Sequence, residues 1–292
     1  MAKAKRLTAS IGVIGGSGIY EIDGVKKLGE VKLTTPFGAP SDSIAVCEIA
    51  GKRVAFLPRH ARGHRILPSE VNTRANMWAL KSLGVEQIIA FSAVGSLKAA
   101  LPPRHFVVPD QVIDKTFRRP GTFYGDGVVA HVAFAHPFCD RLRRAAVAAA
   151  KAEKIAVTAG GTYVCMEGPQ FSTRAESNLH RSWGAALIGM TCMPEAKLAR
   201  EAEMCYAVIA LVTDFDCWKE DEEHVTADAV VATMTHNVQA AKRMLPRLIA
   251  ALDAADCSCR HALAGAIMSD PKRVPPATRK KLALLAGKYL KQ

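Results

Sequence analysis

The sequence predicts an α/β fold. Short β-branched runs alternate with stretches of helical spacing, several of the apolar runs end in polar or glycine-rich clusters, and no internal repeat is present. With 292 residues, 49% hydrophobic and 23% charged, the chain can bury a full core in one large domain, or one and a fraction.

The elements follow in order. Residues 11–14 (IGVI) read as a strand entering the tight turn Gly15-Gly16-Ser17-Gly18. Residues 44–49 and 53–57, separated by Ala50-Gly51-Lys52, read as a hairpin. Val71, Ala75, Trp78 and Leu80 recur at helical spacing and predict a helix over 69–83, closed by Gly84. Buried strands are expected at 88–92 and 106–112, then at 162–166, 186–190 and 207–213. Helices are expected at 139–154, 173–183 (capped by Ser172 or Thr173), 194–203 and 227–252. Residues 250–258 are small and polar enough to be a linker. They divide a basic N-terminal extension (1–10) and a main domain (11–252) from a C-terminal appendix (253–292).

The formal net charge is +12, which raises the question of nucleic acid. Three cations fall within residues 1–10 and eight within 260–292, and the residues between are nearly neutral. Cations gathered at the ends with few aromatics suit a solvated tail better than nucleic-acid readout. No apolar run approaches the roughly 20 residues of a bilayer span. The basic start lacks the apolar stretch of a secretory signal, so a cytoplasmic setting is expected.

Eight cysteines, at 47, 139, 165, 192, 205, 217, 257 and 259, include no C-x-x-C pair and no Cys/His spacing of the zinc kind. No metal site is therefore expected, and most should be buried thiols. Cys257-Ser258-Cys259 stands apart, as a redox pair or as two thiols on a mobile segment.

Four polar clusters sit where expected strands end, the place where open α/β sheets bind ligands. The first, at 15–18, offers backbone N–H groups and the Ser17 hydroxyl, as an anion nest would. It matches neither a dinucleotide fingerprint nor a P-loop. The second, at 58–65 (PRHARGHR), carries guanidiniums that match phosphate oxygens in pairs. The third, at 92–96 (SAVGS), again presents hydroxyls and amides. The fourth, at 212–218 (VTDFDCW), runs a buried strand into two carboxylates around an aromatic ring. Carboxylates there are costly unless something binds them, and an amino-bearing heterocycle would.

In register, IGVIGGSG at 11–18, the 57–97 stretch with PRH, GH, Asn72, NMWAL and SAVGSL, EGPQFSTRAES at 167–177, Met190-Thr191 with Pro194-Glu195, and TDFDCWK at 213–219 resemble the trimeric purine nucleoside phosphorylase family. Within it they are most similar to members acting on 5′-methylthioadenosine. The resemblance covers about residues 10–250 and leaves the C-terminal segment unplaced.

It implies a single α/β domain of the phosphorylase/hydrolase-like kind, with a central mixed β-sheet flanked by helices, assembling as a homotrimer or hexamer. The implied pentosyl transfer is reversible phosphorolysis of S-methyl-5′-thioadenosine to adenine and 5-methylthio-D-ribose 1-phosphate, a step of purine and methionine salvage. Phosphate is then a co-substrate, and no metal, organic cofactor, membrane or specific nucleic acid is called for.

The resemblance also implies the site. Phosphate falls to Ser17, Arg59, His60, Ser92, the Ala93 amide and Thr191, and the ribose to Met190. The base falls to Asp214 and Asp216, as catalytic carboxylates, with Phe171 beside them. Relatives that take 6-oxopurines carry Glu and Asn where this chain has Ser172 and Asp214, so a 6-aminopurine is expected. Ala227, Val230 and Val231 would line an apolar subsite for the methylthio group, and His131 would come from a neighbouring subunit.

Overall fold

The computed structural model describes residues 7–16, 25–219 and 227–291, with backbone only for 227–230. Eleven strands of the described residues form one mixed sheet. One end is antiparallel: β2 (Lys26–Val31) pairs β3 (Ile44–Ile49), which pairs β4 (Lys52–Pro58) through a turn at Ala50 and Gly51, both at positive φ. β4 then runs parallel to β1 (Ile11–Gly15), and β1 to the central β5 (Gln87–Ser96).

Beyond β5 the sheet divides. β11 (Cys205–Asp214) lies parallel along nearly all of β5 and leads to β6 (Phe106–Val108) and β8 (Val157–Ala159). On the other edge, β10 (Leu187–Gly189) meets only Ser96 and Gly95, and leads to β9 (Thr162–Cys165) and β7 (Gln111–Asp114). β1 pairs β5 only as far as Ala90. Residues 91–94 of β5 therefore have no strand on that edge among the described residues.

Helices cover both faces. Ile14, Val46 and Leu57 point to the face under α1 (Thr73–Ser82), α4 (Cys192–Glu201) and α6 (Pro276–Ala286), where Met77, Leu80, Leu198 and Leu282 join one core. Ile11, Val13, Phe56 and Phe91 point the other way, onto Leu142 of α2 (Asp140–Ala152) and Leu245 of α5 (Ala227–Ala251). Strands buried on both faces must be apolar throughout, which is why β1 and β11 read as unbroken runs.

Several expectations are corrected. The helix expected from residue 69 starts at Thr73, because the Asn72 side chain accepts the Ala75 N–H and caps it. The strand expected at 106–112 is two, β6 and β7, with different partners. β2, β8 and α6 were not anticipated. α3 (Arg174–Ser182) opens on the expected Thr173, with a reciprocal Thr173–Glu176 capping box. α4 is kinked at Met193 and Pro194, where the backbone leaves helical angles.

The largest correction concerns the C-terminus, read as a solvated tail. Leu263, Val274, Leu282, Leu285, Ala286 and Leu290 are buried in the same cluster as Ile14 and Leu80. Its cations are partly spent on ion pairs, Arg260 with Glu86 and Lys288 with the buried Glu203. No helix among the described residues is long and apolar enough to cross a membrane.

Candidate active site

The vacated edge of β5 is the centre of a crevice ringed by strand ends. β1 and β4 stop beside it, and the Arg59 N–H donates to the Gly15 carbonyl at 3.0 Å. Arg59 Nη1 then donates to the Phe91 carbonyl at 3.0 Å. Along a strand, successive residues direct their backbone groups to opposite edges, so Ala93 presents its N–H to the same vacated side as Phe91. Ala93 is exposed although Ser92 and Val94 beside it are buried.

The Arg59 side chain is only 3% exposed, and Glu195 on α4 grips it with both oxygens, one at 3.1 Å from Nη2. Tyr206 donates its hydroxyl to the same carboxylate at 2.8 Å. Burial works against the guanidinium charge, but Glu195 more than restores it and holds the pKa above its ordinary value. One N–H on each terminal nitrogen remains available.

His60, also buried, has Nδ1 2.8 Å from the Ile66 carbonyl and its ring stacked on His64 at 4.5 Å. Burial, aided by Arg59, lowers its pKa to about 4. Neutral His60 must carry its proton on Nδ1, because a carbonyl only accepts, and Nε2 is left with a lone pair. Ser92 Oγ lies 2.8 Å from Thr191 Oγ1 and 3.0 Å from the Tyr163 hydroxyl. Thr191 is the N-cap of α4 but makes no side-chain cap bond, so its hydroxyl faces Ser92 instead. Arg59, Ser92, Ala93 and Thr191 thus converge, with His60 adjoining. Ser17 lies outside the described residues.

A second group meets where β11 ends. Asp214 Oδ2 lies 2.6 Å from the Thr213 hydroxyl, and Oδ1 accepts the Asp216 N–H at 2.7 Å. Asp216 sits at φ +54°, and its Oδ2 is buried with no hydrogen-bond partner among the described residues. The group packs directly on β5: a β-carbon on Gly95 would come within 2.9 Å of Asp214 Oδ1 and 3.3 Å of Asp216 Cβ. Trp218 Nε1 donates to the Ser96 carbonyl at 2.8 Å, and Cys217 Sγ donates to the Ser172 carbonyl at 3.3 Å. Ser172 therefore joins the carboxylates, and its neighbour Phe171 is 52% exposed.

Met190 follows β10 and packs so tightly over Gly168 that a β-carbon there would strike its sulfur. Sequence reasoning missed the residue that holds it. Arg119 Nη1 donates to the carbonyls of Met190 (2.6 Å) and Met193 (2.8 Å), Nη2 to the Glu167 carbonyl (2.6 Å), and Nε to Glu167 Oε1 (3.1 Å). It lies in a loop of two arginines and a proline with no strand signal beside it. Glu195 was within a recognised motif but had no role assigned.

The other expected positions are exposed or lie outside the described residues. His131 is exposed, and its N–H donates to Ala266 in the C-terminal segment. Val231 is 63% exposed on α5, and the side chains of Ala227 and Val230 lie outside the described residues. The spacing predicts mostly buried thiols, with Cys257 and Cys259 alone set apart as a redox pair or two thiols on a mobile segment, yet Cys139, Cys205, Cys257 and Cys259 meet in one cluster. Spacing along the chain could not show this, because three segments contribute.

Comparison with known proteins shows the family and the fold. A family model described as the phosphorylase superfamily matches residues 10–250. A Koribacter versatilis protein named S-methyl-5′-thioadenosine phosphorylase is 52% identical over 284 residues, covering 97% of each chain. A Geobacter sulfurreducens protein of the same name is 51% identical over 282 residues, covering 96% of this chain and 99% of its own. A crystal structure of a methylthioadenosine phosphorylase from an antarctic soil metagenomic library matches with TM-score 0.91 at 46% identity, covering 96% of this chain and 99% of that one. The Schistosoma mansoni methylthioadenosine phosphorylase in complex with adenine matches with TM-score 0.83 at 40% identity, covering 88% and 98%. The two sequence relatives extend past residue 250, so the C-terminal segment falls within the resemblance after all.

Proposed function

The chain belongs to the phosphorylase superfamily, and on that premise we propose that it splits S-methyl-5′-thioadenosine with inorganic phosphate into adenine and 5-methylthio-D-ribose 1-phosphate. The observation that carries this reading is the buried, unpartnered Asp216 Oδ2 beside Asp214, built onto the same strand that presents Ser92 and Ala93. An unsatisfied carboxylate oxygen is costly, and an exocyclic amine is the donor that would satisfy it.

In this reading phosphate enters as the monohydrogen dianion. The spare N–H groups of Arg59, the Ala93 amide and the Ser92 and Thr191 hydroxyls surround its oxygens, with Ser17 assigned to the same role. Neutral His60 accepts the phosphate hydroxyl through Nε2, the one arrangement its Nδ1 bond to Ile66 allows. A phosphate oxygen attacks the anomeric carbon as the bond to N9 breaks. The dianion stabilises the positive charge that develops on the sugar, as a carboxylate does in glycoside hydrolysis.

Asp214 shares a proton with N7 as that nitrogen gains electron density, and Asp216 accepts from the 6-amino group. The proton brought by phosphate balances the one that leaves on adenine. Met190 packs on the ribose, Phe171 and Ser172 on the base, and Val231 with Ala227 and Val230 on the methylthio group. The chemistry needs no organic cofactor.

The chain acts in the cytoplasm, in purine and methionine salvage, as a homotrimer in which His131 completes a neighbour's site. Phe117 and Trp183, 79% and 42% exposed, are surfaces such an assembly would cover. Sedimentation equilibrium checks the trimer. For the activity, the free base is to be followed (adenine from methylthioadenosine and adenosine, hypoxanthine from inosine), each with and without phosphate. Adenine release that requires phosphate is expected. Release without phosphate, or a preference for inosine, overturns the reading.

A further inference from the structure

At the opposite end of β11 from Asp214 the fold gathers four sulfurs. The Sγ atoms of Cys139, Cys205, Cys257 and Cys259 all lie within 4.8 Å of one another, with Cys139 and Cys257 at 3.7 Å. Cys139 caps α2, Cys205 begins β11, and Cys257 and Cys259 flank the start of a short 3-10 turn at Ser258–His261. Three of the four are nearly inaccessible, at 3%, 0% and 6% exposure for Cys139, Cys205 and Cys259.

We propose that these four cysteines form a structural zinc site that fastens the C-terminal segment to α2 and β11. A thiolate ligand lies about 2.3 Å from zinc, so the edges of a four-sulfur tetrahedron are about 3.8 Å. The observed 3.7 Å fits that edge, and rotation about the cysteine Cα–Cβ bonds closes wider pairs. A sulfur-only tetrahedral donor set selects a soft cation over calcium or magnesium.

The surroundings suit the charge of such a centre. Zinc displaces four thiol protons and leaves a complex of net charge −2, which a buried site must neutralise. Arg141 Nη2 lies 4.0 Å from Cys205 Sγ, and the positive end of α2 begins at Cys139. Arg141 is itself fixed, donating through Nη2 to Gln87 Oε1 at 2.7 Å and through Nη1 to Asp253 Oδ1 at 3.0 Å.

Position gives the site its role. The ten-residue β11 runs from Cys205 to Asp214, about 30 Å of strand, so the metal takes no part in the crevice. The C-terminal segment crosses from α5 to reach the core beneath α1, and the cluster lies at the start of that crossing.

The test uses the full chain, produced with zinc in the medium and kept reduced. Elemental analysis should find one zinc per chain. Protein stripped by a chelator under reductant should take up one zinc and release protons. Cobalt in its place should give the charge-transfer and visible bands of a tetrahedral tetrathiolate. A Cys257→Ser, Cys259→Ser variant should lose the metal and these bands while retaining phosphorolysis. Iron in place of zinc, failure of the reduced, stripped chain to take up zinc, or full zinc occupancy in the double variant overturns the proposal. So does a wild-type chain that, without added reductant, holds these cysteines as disulfides and no metal.

Discussion

Arg59 and Glu195, 136 residues apart in sequence, form a two-pronged ion pair with side chains only 3% and 2% exposed. The pair ties the end of β4 to α4 and fixes the guanidinium beside the open edge of β5. Removing one member of a buried pair strands the other, at a cost of about 3–5 kcal/mol. Glu195→Ala should therefore lower the urea midpoint by that order. Glu195→Gln also leaves the Arg59 charge unpaired and turns an amide N–H toward its donors, so it should be destabilised as well and raise KM for phosphate more than KM for the nucleoside. Steady-state kinetics at varied phosphate would show the difference.

His60 predicts a pH dependence of stability. Its folded pKa of about 4 lies below the ordinary 6.5, so the native state resists a proton that the unfolded chain accepts. Stability supplied by keeping it neutral is complete above about pH 6.5, falls as pH drops from there to about 4, and changes no further below. Glu201, whose buried carboxyl is raised to about 6, titrates in the same range with the opposite sign. The quantity to measure is thus the difference between wild type and His60→Asn. Between pH 7 and 4.5 the wild type should lose up to about 3 kcal/mol more than the variant.

Much of this crevice was legible because its chemistry sits where apolar runs stop. Arg59 follows β4, Ser92 and Ala93 lie in the last half of β5, and Asp214 ends β11. What was not legible is what supports them. Glu195 and Arg119 act through buried contacts with residues far away in sequence, and no local pattern records those partners. β2 has no apolar run because both its faces are largely open, and α6 looks basic because its few buried leucines are scattered among lysines. The same limit hid the cysteine cluster, three of whose members are far apart until β11 and α2 are packed.

Asp214 and Gly95 make a paired test of the base-binding wall. Asp214→Asn should lower kcat with methylthioadenosine about 100-fold or more, since the amide has no acidic proton to share with N7, and improve inosine relative to it, since the amide N–H can donate to a 6-oxo group. Gly95→Ala adds a β-carbon 2.9 Å from Asp214 Oδ1 without requiring an unusual backbone angle. It should displace the carboxylate and reduce kcat/KM with far-ultraviolet circular dichroism unchanged. Wild-type kinetics in the glycine variant would mean the carboxylate does not act from this position.

The C-terminal segment should behave as core. Leu282 is 1% exposed, and Leu282→Ala should cost about 2–5 kcal/mol in chemical denaturation. Deleting residues 260–292 should leave an insoluble or molten chain, because Leu80 and Met77 on α1 would lose their cover. A soluble, cooperatively folding truncation would show the segment to be dispensable.

Leu290 shares a cluster with Ile14, so the larger apolar layer draws on both extremes of the described chain. During synthesis, that layer cannot close until residue 290 has left the ribosome. For most of translation the faces of α1 and α4 that await it stay open to chaperones, and a stalled ribosome would release a chain prone to aggregate.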